Sequence, residues 1–328
     1  MSMEREPDGL AGTGLPGERK TVVLARDEKS GVAIGLCERV ARPAFVNGEL
    51  RLLPYLGALR VAASHRNKIG VLKGGFRALA EHGTRPGECP FALTAITIDN
   101  APAHRILTAG LPALPRYQRV SDYLTFVFPT KRRQPVRGIE RASDAALCHL
   151  AALQKRSASR YLFAPAWEEA ALRVIGAENL LLYRAGGEIA GCVGVWDQSA
   201  FKQTVARGYP AALSFARPLI NILAPFTGKP QLPAVGAPLR LVYLSALSVA
   251  DERVDILLPL LRAALDLAAS RGAGAAVLGM DARHPWTSAI SGAFGAMEYR
   301  TEIFCVGDDG HAPQPRTDRL TMLDVGLV

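Results

Sequence analysis

The residues best equipped for chemistry are a run of donors, Ser64-His65-Arg66-Asn67-Lys68, set between an apolar run, YLGALRVA at 55–62, and a helical period that starts at Ile69. A helix start leaves backbone N–H groups unpaired and presents the positive end of the helix dipole. Basic side chains at that point complete a site for phosphate oxygens. Glu38, Asp122 and Glu49 are the carboxylates able to take a proton, and Tyr117, Ser121 and Tyr123 the hydroxyls able to give one. A base working near neutral pH needs its pKa raised by burial or like charge. Cys37 adjoins Glu38, but no His accompanies it at a recognisable spacing, so no nucleophilic thiol is expected. The five cysteines are scattered, without a Cys-x-x-Cys pair or a His cluster at metal-ligand spacing. A reduced, cytoplasmic, metal-free protein is expected.

Charge is distributed unevenly. Residues 1–137 hold 21 Lys and Arg against 12 Asp and Glu, and residues 138–328 hold 18 against 18, so the whole net +9 belongs to the first part. A one-sided positive field favours an anionic partner. The basic residues are spread over strands and loops with no aromatic-interleaved platform, which argues against nucleic acid. No apolar run reaches the length that spans a bilayer, and no membrane partner is expected.

The elements that must position these residues come from an internal repeat, since YLGALRVA at 55–62 returns as YLSALSVA at 243–250. Each copy is followed by helical periodicity, through Ile69, Leu72, Phe76, Leu79 and Ala80 in the first and Ile256, Leu257, Leu260, Leu261, Ala264 and Leu267 in the second. Gly83 and Gly272 are the expected C-terminal caps. A strand ending in Asp comes next in each, at 91–99 and 275–281, then a small helix and a strand led by Tyr117 or Tyr299. Ahead of each repeat lies a hairpin, turning at Lys29-Ser30-Gly31 and at Gly186-Gly187. Helical stretches at 143–156 and 165–175 precede the second hairpin and have no counterpart in the first copy. The expected division is a disordered lead-in at 1–20, a first domain at 21–130, a charged linker at 131–137, a second domain at 138–310 with an insertion at 196–240, and a tail at 311–328.

This order of hairpin, long strand, main helix, strand, short helix and strand resembles the GNAT acetyltransferase superfamily over roughly residues 20–310. The resemblance implies an α+β protein of two tandem GNAT-like acyl-CoA N-acyltransferase folds, each a mixed, mostly antiparallel twisted sheet flanked by helices. It implies acetyl-CoA as co-substrate and direct attack by a small-molecule or protein amine. The oxyanion would be held by backbone at Leu59, Arg60 or Val61, and the pyrophosphate by the segment His65, Arg66, Asn67, Lys68, Ile69, Gly70 and Val71. Asn100 and Ala103, at the family's Asn-x-x-Ala spacing, would hold the pantetheine arm. Glu38 is the first candidate base, with Asp122 and Tyr123 as further catalytic candidates. Ile69 and Val71 stand where the family has small residues, and Leu107 where many members have the Tyr that protonates the departing thiolate. These departures keep a catalytically silent binding module as the alternative. In the second copy Asp251, Glu252 and Asp255 would repel phosphate, so it should not bind CoA. The acceptor side of the first site would be open or borrowed from the second copy, and Trp196, Asp197, Lys202, Arg207 and Tyr209 of the insertion would line it or form a homodimer contact.

Overall fold

The computed structural model describes residues 2–4, 8, 12–81, 85–132, 135–227, 231–307 and 318–328. The first repeat supplies the hairpin β2 (Arg19–Arg26) and β3 (Ala33–Val46), the long strand β4 (Glu49–Val61), helix α1 (Ile69–Glu81), β5 (Ala92–Thr97), α2 (Ala101–Leu107) and β6 (Arg116–Pro129). The second opens with β7 (Ile139–Arg141), α3 (Leu147–Ala158), β8 (Phe163–Pro165) and α4 (Glu169–Ile175), which precede its hairpin β9 (Leu180–Ala185) and β10 (Glu188–Trp196). It continues through β12 (Leu241–Val249), α6 (Val254–Ser270), β13 (Ala275–Asp281), α7 (Trp286–Ala293) and β14 (Met297–Gly307). The insertion carries β11 (Gln203–Val205) and α5 (Ala211–Thr227).

Local chemistry accounts for both hairpins. Asp27 Oδ1 accepts from the backbone N–H of Lys29 and Ser30 at 3.1 and 2.9 Å, closing the first turn, and Gly186 and Gly187 take positive φ in the second. Gly272, at φ +77°, ends α6 as a glycine cap does, whereas Gly83 lies outside the described residues.

The two repeats share a single sheet. Its order is β2-β3-β4-β5-β14-β6-β13-β12-β10-β9-β7, with β8 added beside β3. Each repeat gives its last strand to the other. β14 of the second pairs antiparallel with β5 of the first, β6 of the first pairs antiparallel with β13 of the second, and the exchanged strands pair with each other. Reading outward from the β14–β6 seam, both halves run β5-β4-β3-β2 or β13-β12-β10-β9. All seven residues of β13 are buried, as suits a central strand covered on both faces.

Both repeats place the same irregularity at the same point. Leu36 pairs with Arg60 and Glu38 with Gly57, so β4 spends one more residue than β3; Cys192 pairs with Ser248 and Gly194 with Ser245, so β12 does likewise. The bulged residues are Ala58 and Ala246, each at φ 51°, a conformation that costs an L-residue energy and persists where packing imposes it.

The described residues of the expected lead-in carry structure: Ser2–Glu4 form β1 against β11, Thr13 donates through N and Oγ1 to Glu18, and β2 starts at Arg19. The tail is packed over 318–328, with Thr321, Met322 and Leu323 buried. Apolar side chains with no local partner find one across the fold, which period and propensity do not report.

Candidate functional site

β4 and β5 run parallel and pair at Tyr55 and Leu93, after which they separate towards their C-terminal ends. The Tyr55 hydroxyl reaches the backbone of Ala95, and Thr94 Oγ1 donates to the Leu56 carbonyl at 2.8 Å, so side chains bridge the strands where backbone pairing stops. Beyond them opens a cleft of about 690 Å³. Ala58, Leu59 and Arg60 of the bulge line one wall, and Asn100, Ala103 and Leu107 of α2 and its cap line the other. Val61 lies apart from this cleft, against a small apolar cavity under α1.

The chain leaves β4 at Val61, makes a 3-10 turn over Ala63–His65 and enters α1 at Ile69, so the basic segment stands beyond the end at which the strands have parted. Arg66, Asn67, Lys68, Ile69 and Gly70 are exposed, and no acidic residue lies in the first turn of α1. His65 accepts or donates to Ser64 Oγ at 2.9 Å through Nδ1, and its Nε2 lies 3.9 Å from Asp27. Of the two β-branched departures, Val71 packs inward, its Cγ1 within 3.1 Å of where a Cβ at Gly35 would stand, and Ile69 is 40% exposed. The helix start is open to an anion. Asn100 caps α2 by accepting from the Ala103 N–H at 3.3 Å, which is the physical content of the Asn-x-x-Ala spacing here.

Glu38 lines the cleft on the sheet face away from α1, opposite Gly57, with Lys20 Nζ at 3.6 Å; the two side chains are only 14% and 12% exposed. Tyr117 reaches the same cleft, its ring edge-on to Phe76 and Phe304 at 6.5 and 6.0 Å, and burial pushes its hydroxyl well above the usual tyrosine range. Cys37 lies on the α1 side, where burial pushes its thiol up to about 11 and keeps it protonated.

The other candidates stand elsewhere. Tyr123 is buried beside Gly279 and donates to the Leu323 carbonyl, and Asp122, on the exposed face of β6, pairs with Arg119; neither lines the cleft. The exchange of β6 into the second half of the sheet carries them away. Ser121 shares a buried hydrogen bond with Thr321 at 2.9 Å, and Glu49 pairs with Arg51 at the hairpin end of β4.

Lys202 of the insertion and the last residues of the chain close one side of the cleft. Lys202 is 7% exposed, and its Nζ donates to the Val328 backbone oxygen at 2.9 Å and lies over the Tyr243 ring. Lys202 and Gly326–Val328 line the cleft together with Glu4, which Arg207 grips through two hydrogen bonds. Arg42 of β3 fixes this segment by donating to the Leu327 carbonyl at 2.7 Å. Of the other insertion residues, Trp196 is buried against Trp167, Asp197 caps the Ser199 N–H and Tyr209 donates to the Pro233 carbonyl. The sequence reading singled out Glu38, Tyr117 and Lys202 but missed Tyr55 and Gly326–Val328. A short apolar end, MLDVGLV, was the one sign that the last residues pack inward.

The equivalent opening in the second repeat is filled. Asp324 accepts from Ser245 Oγ at 2.9 Å and from the bulge N–H of Ala246 at 3.1 Å, and about 30 Å³ remains free there. Burial raises the Asp324 carboxyl above its ordinary value. At the helix start Asp255 pairs with Arg253 at 2.5 Å, and the Trp286 indole donates to the Glu252 carbonyl at 2.8 Å. An exposed carboxylate therefore stands in the first turn of α6, where the first repeat presents Lys68 and Ile69.

No family model and no curated protein matches this sequence. Solved structures do. Two structures of N-myristoyltransferase from Saccharomyces cerevisiae with bound myristoyl-CoA align at a TM-score of 0.53, one at 10% identity over 90% of this chain and 71% of that chain, the other at 11% over 86% and 68%. A GCN5-related N-acetyltransferase from Sphaerobacter thermophilus aligns at 0.51, with 14% identity over 87% of this chain and 79% of its own. These neighbours are N-acyltransferases, and identities this low speak for the fold: the chain has the GNAT fold in its tandem form.

Proposed function

We propose that this chain is an acyl-CoA-dependent N-acyltransferase whose single active site is the cleft of the first repeat, with acetyl the simplest group it transfers and an amine as acceptor. The observation that carries the reading is the bulge at Ala58 facing an open cleft between separated parallel strands, with an uncovered basic helix start at the end of that split. The pyrophosphate rests on the N–H groups at the start of α1 with Arg66 and Lys68 beside it. The pantetheine arm runs between β4 and β5, past Asn100 and Ala103.

The acceptor amine enters on the Glu38 face and gives a proton to that carboxylate as its nitrogen attacks the thioester carbonyl. The resulting oxyanion lies at the bulge, and donors fixed in advance at such a point usually supply the largest share of the rate. The bonding of Asp324 at the second bulge supports this, because the Ala246 N–H there donates to a carboxyl oxygen. It also moves the expected donor from Leu59–Val61 to Ala58 or Leu59. As the intermediate collapses, the C–S bond breaks and the thiolate takes a proton from Tyr117 or from water.

Release of free thiol from acetyl-CoA across a panel of amines, repeated with longer acyl-CoAs, tests the reading. Leu107 in the place of the family's proton donor favours a second one, a module that binds acyl-CoA without turnover. Binding with no thiol release for any amine would support that alternative.

A further inference from the structure

The insertion between β10 and β12 carries a surface that acyl transfer leaves unused. α5 turns Arg217 and Asn221 towards the protein. Arg217 Nη1 donates to the Pro233 carbonyl at 2.8 Å, and Asn221 exchanges two hydrogen bonds with the backbone of Leu232, at 2.9 and 2.7 Å. Its outward side is apolar. Phe215 is 88% exposed, Leu219 60% and Ile222 66%, at spacings of four and three residues that set them along one stripe, with Pro218 exposed between them. Large apolar side chains gain free energy on burial, so three side by side in water mark a surface that something apolar covers.

Charge identifies what covers it. No acidic residue lies between Asp197 and Asp251, whereas Lys202, Arg207, Arg217, Lys229 and Arg240 do, in a chain of net charge +9. Arg207 is paired with Glu4 and Lys202 is buried beside the cleft against Val328; the segment remains positive without either, through Arg217, Lys229 and Arg240. A second copy of this chain would bring the same positive segment against itself, whereas a bilayer of anionic phospholipid offers both an apolar interior for the stripe and the opposite charge.

We infer that α5 is an interfacial helix that seats Phe215, Leu219 and Ile222 in the headgroup boundary of an anionic membrane. The expectation from sequence that no membrane takes part is thereby revised. No helix among the described residues is long and apolar enough to cross a bilayer, and lying in its surface requires none. The same insertion supplies β11 and Lys202 beside the cleft, so docking holds the acceptor side near the lipid surface. The inference does not depend on acyl transfer.

Co-sedimentation of the full chain with vesicles tests it. Binding is expected to equimolar phosphatidylcholine and phosphatidylglycerol, to weaken as salt rises, and to be much weaker on phosphatidylcholine alone. Phe215→Ser/Leu219→Ser should weaken it at least about tenfold while leaving the circular dichroism spectrum and acetyl-CoA affinity unchanged, because neither residue lines the cleft. Should that pair alter the spectrum, Ile222→Ser alone serves, with a smaller loss of the same kind. No binding to the anionic vesicles would overturn the inference. So would binding that the serine variants leave intact, or light scattering that shows a dimer which those variants dissolve.

Discussion

The first and second repeats share a strand order, a bulge and an eight-residue signature, yet one holds an open cleft and the other a filled one. The difference comes from a few side chains rather than from backbone. Where β4 and β5 part, the first repeat has Ala103 on one wall and an exposed basic turn beyond; where β12 and β13 part, the second has Trp286, Asp324 and a helix with Asp255 in its first turn. Packing follows the same division. α6 buries eight residues against the sheet, while α1 buries Leu79 alone and leaves Leu72 and Phe76 half-buried. The space that stays open in the first repeat is core in the second.

Five substitutions sharpen the comparison. The largest effect is expected from Glu38→Gln, which should lower kcat by about 10²–10⁴-fold, the usual worth of a general base, with acyl-CoA affinity and melting temperature unchanged. Glu252→Gln in the second repeat should leave kcat alone, and free-thiol assays read both. Ala103→Trp imports the second repeat's filling into the first and should weaken acetyl-CoA binding by about 10–100-fold in calorimetry, the cost of overfilling a packed wall.

Asp324→Ala strips the second bulge of its internal acceptor, leaving Ser245 Oγ and the Ala246 N–H unpaired in the core. It should cost about 1–3 kcal/mol in urea unfolding without changing affinity for acetyl-CoA. The smallest effect concerns pH. His284 accepts from the Trp286 N–H at 3.2 Å and meets the Tyr161 hydroxyl at 3.1 Å, and burial lowers its pKa, so it folds neutral. The unfolded chain binds that proton more readily, so the stability His284 contributes is complete above its ordinary value of 6.5 and is lost as pH falls through the lowered one. Melting temperatures between about pH 7 and 5 should show this, with a flatter profile in His284→Gln.

Much of this architecture could be read from the residues. The recurrence of YLGALRVA as YLSALSVA located both bulged strands, and the run at 64–68 against that at 251–255 gave the two helix starts opposite charge. The exchange of β6 and β14 could not be read, because alternation reports which face a residue occupies and not which strand lies beside it. It bears on Tyr123, which pairs with Asp281 of β13, and on Asp122, which pairs with Glu302 of β14. Gly326–Val328 escaped for a related reason: Arg42 and Lys202, which hold that segment, lie more than a hundred residues away in sequence.

The central claim is that one cleft per chain, in the first repeat, accepts acyl-CoA. Isothermal titration of the full chain with acetyl-CoA tests it most directly. One equivalent should bind, with affinity reduced at least about tenfold by Arg66→Glu and unchanged by Arg253→Glu. Two equivalents per chain, or binding indifferent to Arg66→Glu, would contradict it.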